Sequence, residues 1–149
     1  AKGIGGGFPL GCCLCSSEVA NAMTVGTHGS TFGGNPLACS VGLAVLDKIL
    51  STEFLTSVSE KGVFLKERLG NMVSMYPSVF ESVRGVGLML GLKCNIDNTK
   101  LIDRAYLNRL LVIPAGDNVI RILPPLNVTY EELKEALKRL QKSANDLVG

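Results

Sequence analysis

Formal charge divides this chain into two unequal parts. Residues 1–46 hold only Lys2 and Glu18, whereas the following 103 residues hold 26 of the 28 charged side chains. The charge-poor part also carries ten of the 17 glycines. Glycine loses more backbone entropy on ordering than other residues and returns no side-chain packing, so such a stretch needs neighbours or a ligand to shape it. We expect it to form buried loops with short strands. The remainder, with about one charge in four residues, suits a solvated domain built from amphipathic helices. The joint is expected near residues 50–59. The organisation that follows is residues 1–50 as the end of one domain, 51–77 as a bridging helix and 78–149 as a small α+β domain.

A chain of 149 residues with 46% apolar content can bury one core. The balance of 15 basic and 13 acidic residues leaves +2, with no basic block, which argues against a nucleic-acid-binding face. No apolar run approaches the ~20 residues of a bilayer crossing, so no membrane partner is expected. The chain opens on Ala1-Lys2-Gly3 rather than Met, which reads as a piece of a longer protein. Five cysteines without a secretory pattern point to free thiols and the cytoplasm.

Local signals place the elements. Leu10 to Met23 begins with an apolar small-residue run, Gly11-Cys12-Cys13-Leu14-Cys15, of the kind that forms a strand packed on both faces, followed by a polar Ser16-Ser17-Glu18 turn. Asn35-Pro36 is an N-cap and first helical residue, with Leu37, Val41, Val45 and Ile49 as one buried stripe ending near Leu50. Ser51 or Thr52 caps a second helix with Leu55, Val58, Leu65, Leu69 and Met72 as its stripe, and Gly70-Asn71 and Pro77 as stop signals. Val83 to Lys93, Leu111 to Ala115 and Val119 to Leu123 are strand-like, with Asn98 to Leu110 helical between the first two. Thr129-Tyr130-Glu131-Glu132 is a capping box whose helix turns Leu133, Leu137, Leu140 and Ala144 inward.

Several chemistries can be set aside. Gly3-Ile4-Gly5-Gly6-Gly7-Phe8 has Phe where a dinucleotide loop needs its third glycine. Cys12-Cys13-Leu14-Cys15 has a C-x-x-C spacing but no second ligand pair, so no metal is expected and small core thiols are the reading. The stretch Thr27-His28-Gly29-Ser30-Thr31-Phe32-Gly33-Gly34-Asn35-Pro36 puts hydroxyls just before a helix N-terminus, where a phosphate could dock. Taken alone, it is more simply a capped polar turn.

It does not stand alone, because Lys2 in Ala1-Lys2-Gly3-Ile4-Gly5-Gly6-Gly7-Phe8-Pro9-Leu10-Gly11 lies 29 residues before Thr31. Together with Val83-Arg84-Gly85-Val86-Gly87-Leu88-Met89 and Ala115-Gly116-Asp117-Asn118-Val119-Ile120-Arg121-Ile122-Leu123-Pro124-Pro125-Leu126, these motifs closely resemble the class III pyridoxal-phosphate-dependent aminotransferases. That group holds the acetylornithine, ornithine and 4-aminobutyrate aminotransferases, and the wording here is most similar to its bacterial acetylornithine branch. The resemblance implies an α/β fold, the C-terminal part of a fold-type I transferase: the end of the large domain plus the small C-terminal domain. It implies pyridoxal 5'-phosphate as cofactor, Lys2 as the Schiff-base lysine, and Thr31 as a phosphate ligand reaching the neighbouring subunit of a homodimer. Ser30 would face the acetylornithine pocket of that subunit. Arg121 would grip a substrate carboxylate, a structural ion pair being the equal alternative, and Arg84 is read as structural.

The implied reaction takes N-acetylornithine and 2-oxoglutarate to N-acetylglutamate semialdehyde and glutamate, within arginine biosynthesis, with ornithine or 4-aminobutyrate aminotransferase as the alternative. The residue types agree with it. A desolvated lysine amine can bond a carbonyl and later carry a proton, and charge-poor surroundings lower the cost of keeping it neutral. In relatives the preceding portion carries the small-residue phosphate loop, the aromatic that stacks on the cofactor ring and the Asp that pairs with its nitrogen. The chain alone is therefore expected to be incomplete and inactive. A reading from another class makes it a non-catalytic dimerisation or folding piece.

Overall fold

The computed structural model describes residues 1–148; Gly149, the last residue of the expected C-terminal domain, lies outside the described residues. The fold divides after Leu55 into two compact units.

The first unit holds a single 3-10 turn (Lys2–Gly5), α1 (Ser17–Ala22) and α2 (Pro36–Ile49). Ser16 caps α1 by accepting from the Val19 N–H at 3.4 Å. Asn35 caps α2 as expected, its Oδ1 accepting from the Ala38 N–H at 2.9 Å and its amide donating to the Phe32 carbonyl at 2.8 Å, with Pro36 in the first turn. The stripe differs from expectation. Ala38 and Gly42 are the buried positions, Val41, Val45 and Ile49 are half-buried, and Leu37 is 63% exposed. Close approach explains the rotation: a Cβ on Gly42 would lie 2.9 Å from Leu10 Cδ2, and one on Gly6 would lie 2.9 Å from Val45 Cγ2. The small side of α2 admits the glycine loop, and Leu37 is left outside.

Two further expectations for this unit are corrected. Residues 9–16 form no strand, because a strand needs a partner ladder and no other strand exists in the unit. Burial also fails: Leu14 is 91% exposed, and Cys12, Cys13, Cys15 and Cys39 are all exposed free thiols, leaving Cys94 as the one core thiol. An apolar, charge-poor sequence specifies that a surface should be covered, not that this chain supplies the cover.

Helix α3 (Thr52–Met75) opens with Ser51 Oγ accepting from the Phe54 N–H at 3.2 Å. It runs straight through Gly70-Asn71, read from sequence as a stop, because Leu69 and Met72 on either side are both core residues and tertiary packing outweighs the ~1 kcal/mol cost of one helical glycine. Leu65 joins them, Val58 is half-buried, and Leu55 remains exposed.

The second unit adds β1 (Phe80–Val86), β2 (Met89–Cys94), α4 (Asn98–Leu107), β3 (Ile113–Ala115), β4 (Val119–Ile122) and α5 (Tyr130–Val148). Among the described residues the strands form one antiparallel sheet of order β1-β2-β4-β3. The single strand expected over residues 83–93 is a hairpin, since Gly85 (φ 124°) and Gly87 (φ 56°) take backbone conformations that turn the chain back. Gly87-Leu88 lacks the Asn or Asp that marks most tight turns. At the β3–β4 turn Asp117 and Asn118 are both left-handed. Asn118 ties three segments together: its amide donates to the Cys94 and Ile96 carbonyls at 2.7 Å, and its Oδ1 accepts from the Asn98 N–H at 2.9 Å.

One core joins sheet and helices. Phe80, Leu90, Leu92 and Ile120 from the strands meet Leu69 of α3, Leu101 of α4 and Leu133 and Leu140 of α5. The capping box forms as read: the Thr129 N–H donates to Glu132 Oε2 at 2.8 Å and the Glu132 N–H to Thr129 Oγ1 at 3.2 Å. Ala144 is buried and Leu137 half-buried on the inward face.

Candidate functional site

Lys2 stands in left-handed backbone (φ 67°), a conformation uncommon for a residue with a side chain. It lines a hollow of about 480 Å³ together with Ala1 and residues 7–11. The glycines shape this hollow from both sides. Gly6 must lack a Cβ because Val45 is already there, which seats the loop on α2. Gly7 (φ 114°) faces open space, with nothing within 4 Å of where its Cβ would be. The lining holds one cation and no carboxylate. A primary amine beside an open glycine wall, with no acid to pair it, suits covalent capture of a carbonyl compound, and the residues present fit an aldehyde cofactor.

Ser30 and Thr31 lie in the turn that leads into α2, both exposed. The Gly33 N–H closes the turn on the Ser30 carbonyl at 3.4 Å, and a Cβ on Gly33 would press to 3.0 Å against that of Ser30. Gly34 follows at φ 70°. These hydroxyls precede a helix N-terminus, chemistry that favours an anion. The Lys2 hollow includes neither of them.

Arg121 belongs to the second unit. It is half-buried on β4, opposite Gly91 of β2 and Ile113 of β3 in the register. Its neighbours Ile120 and Ile122 face the core, so Arg121 stands on the other face of the sheet. The three ion pairs among the described residues are Arg84–Asp117, Lys93–Asp117 and Arg139–Glu135, and none includes Arg121. Arg84 does pair, its Nη1 lying 3.2 Å from Asp117 Oδ2. The Lys93 ammonium donates to the other oxygen of Asp117. That bond and the Lys93 charge, with a smaller part from Arg84, hold the Asp117 carboxyl below the usual carboxylate range. Asp117 and Lys93 were not singled out from sequence.

Burial pushes the Cys94 thiol up to about 11, and among the described residues no three of His, Cys, Asp and Glu converge to hold a metal ion. No helix among the described residues is long and apolar enough to cross a membrane.

A helical unit that carries a glycine-walled lysine, followed by an α+β unit with its helices packed on one side of an antiparallel sheet, has the architecture of the C-terminal portion of pyridoxal-phosphate-dependent aminotransferases. Residues 1–143 match the family model for aminotransferase class-III, and the chain belongs to that family. It is 54% identical over 147 residues to the acetylornithine aminotransferase of Mesorhizobium japonicum, an alignment covering 99% of this chain and 37% of that protein. Among solved structures it superposes on N-acetylornithine aminotransferase from Stenotrophomonas maltophilia with a TM-score of 0.84 at 36% identity, covering 99% of this chain and 39% of the other. The ornithine aminotransferase of Toxoplasma gondii, crystallised with partial occupancy of PLP at its active site, gives 0.79 at 30% identity, covering 89% and 32%. The chain thus spans a little over a third of the curated relative it matches.

Proposed function

We propose that this chain supplies the lysine-bearing part of an aminotransferase that uses pyridoxal 5'-phosphate to move the amino group of N-acetylornithine to 2-oxoglutarate, working in the cytoplasm as a homodimer. The observation that carries the proposal is the Lys2 hollow: an amine set by a left-handed backbone against open glycine, with no carboxylate in the lining. When bound, the cofactor supplies the electron sink that makes a substrate Cα–H acidic. The chain's own residues do the rest. Lys2 Nζ would hold the cofactor's aldehyde carbon, and as a free amine would take up the substrate Cα proton and hand it on. Thr31 holds the phosphate of the neighbouring subunit's cofactor, and Ser30 beside it meets the acetylated donor. Exposure of both hydroxyls outside the Lys2 hollow supports a role toward another subunit. The Arg121 fork binds a substrate carboxylate, as its lack of an ion pair among the described residues allows. Five free thiols suit the reducing compartment.

Ornithine as donor is the second reading, favoured by the fold likeness to the Toxoplasma gondii enzyme. Borohydride treatment of the full-length protein loaded with pyridoxal phosphate, followed by peptide mass spectrometry, tests the assignment. The peptide containing Lys2 should carry the reduced pyridoxyl group, and Lys2→Ala should lose ~10²–10⁴-fold in turnover with either donor. An adduct on another lysine, or a variant with most of its turnover, would refute it and leave a purely structural role for this portion.

A further inference from the structure

The outer face of the sheet carries a row that only register reveals: Arg84 of β1, Gly91 of β2, Arg121 of β4 and Ile113 of β3 lie side by side across the four strands. Two guanidinium side chains share the row, with a glycine between them that offers nothing to screen one from the other. Lys93, two residues along β2, brings a third cation to the same face. Asp117, in the turn before β4, takes both Arg84 and Lys93 as ion-pair partners. Arg121 is the one cation of the three left unpaired among the described residues.

Gly91 is required for this arrangement. A Cβ there would lie 2.8 Å from Val119 Cγ1, and Arg84 Cγ already sits 3.8 Å away. The glycine lets Val119 and the Arg84 stem close over β2, and this brings the Arg84 head within reach of Asp117. The positioning is local and the charge count is its product.

We propose that Asp117 is a specificity-determining residue: its one negative charge offsets one of the two positive charges of Arg84 and Lys93, which lowers the net charge beside Arg121 and weakens the hold of this face on dianions more than on monoanions. The inference rests on the reading of Arg121 as a carboxylate-binding residue. Arg84 and Arg121 stand two strand spacings apart, about 10 Å, and at that range through water a unit charge changes affinity about twofold for each charge on the ligand. Salt of ~0.1 M, with a screening length of about 10 Å, should reduce the effect.

The test uses full-length enzyme and two three-carbon anions, propionate and malonate, as competitive inhibitors against the dicarboxylate acceptor. Asp117→Asn is the informative variant, because Asn adopts the left-handed backbone that position 117 requires (φ 65°). It should tighten propionate about twofold and malonate about fourfold at low salt. The gap between the two should shrink as salt rises, and adding Arg84→Gln should bring both constants back toward the parent. Arg121→Lys is the control and should weaken both anions. If Arg121→Lys changes neither, the carboxylate reading fails and the inference falls with it. If Arg121→Lys weakens both while Asp117→Asn leaves them unchanged, or shifts them equally and independently of salt, Asp117 is a turn residue only and the Arg121 reading stands.

Discussion

Helix α3 contains two glycines whose replacement by alanine should act in opposite directions. Gly62 is buried, and a Cβ built on it would lie 2.7 Å from the Cα and carbonyl carbon of Gly87 and 2.8 Å from its oxygen, where ordinary contact begins near 3.4 Å. Every one of those atoms is main chain in the β1–β2 turn, so no rotamer change relieves the overlap. Forcing a methyl into such a contact costs up to about 3 kcal/mol, while replacing a helical glycine returns about 1 kcal/mol. The net for Gly62→Ala is a loss of about 2 kcal/mol, which lowers Tm by roughly 8–16 °C for a unit of this size. Gly70 lies two turns further on with nothing within 4 Å of its Cβ position, so Gly70→Ala keeps the propensity gain without a clash. It should raise Tm by a few degrees. Thermal unfolding of both variants beside the parent, followed by far-ultraviolet circular dichroism, decides the matter. Equal stabilisation by the two alanines would refute the close packing of α3 on the hairpin.

Thr31→Ala in the full-length enzyme should weaken pyridoxal phosphate binding more than it slows turnover at saturating cofactor. One charge-assisted hydrogen bond is worth ~1.5–3 kcal/mol, or roughly 10- to 100-fold in Kd, and an unchanged Kd counts against the assignment. Acid should unfold the sheet partly through Asp117. Its folded carboxyl is held below the ordinary value near 4, chiefly by Lys93, so its contribution is complete above that value and lost as pH falls through the depressed one. Urea midpoints measured from about pH 6 down to about pH 3 should therefore fall less steeply for Asp117→Asn than for the parent.

The sequence by itself determined whatever depends on a few adjacent residues. Asn35-Pro36 and Thr129 to Glu132 start helices where their hydrogen bonds are found, because a cap is satisfied within one turn of chain. Asp117-Asn118 makes its turn for the same local reason. The glycine-rich setting of Lys2 and its distance from Thr31 were equally legible, and carried the family resemblance with them. Tertiary structure alone decided the rest. Gly70-Asn71 continues a helix because Leu69 and Met72 meet a core assembled from distant strands, and Leu37 turns outward because Gly42 admits Leu10 more closely than any larger residue could. The residues around Arg121 are the clearest case. Arg84, Gly91 and Arg121 are scattered over three strands, and no local rule joins them. Antiparallel register sets them in one row, since a shift of a single residue would send every side chain of a strand to the opposite face.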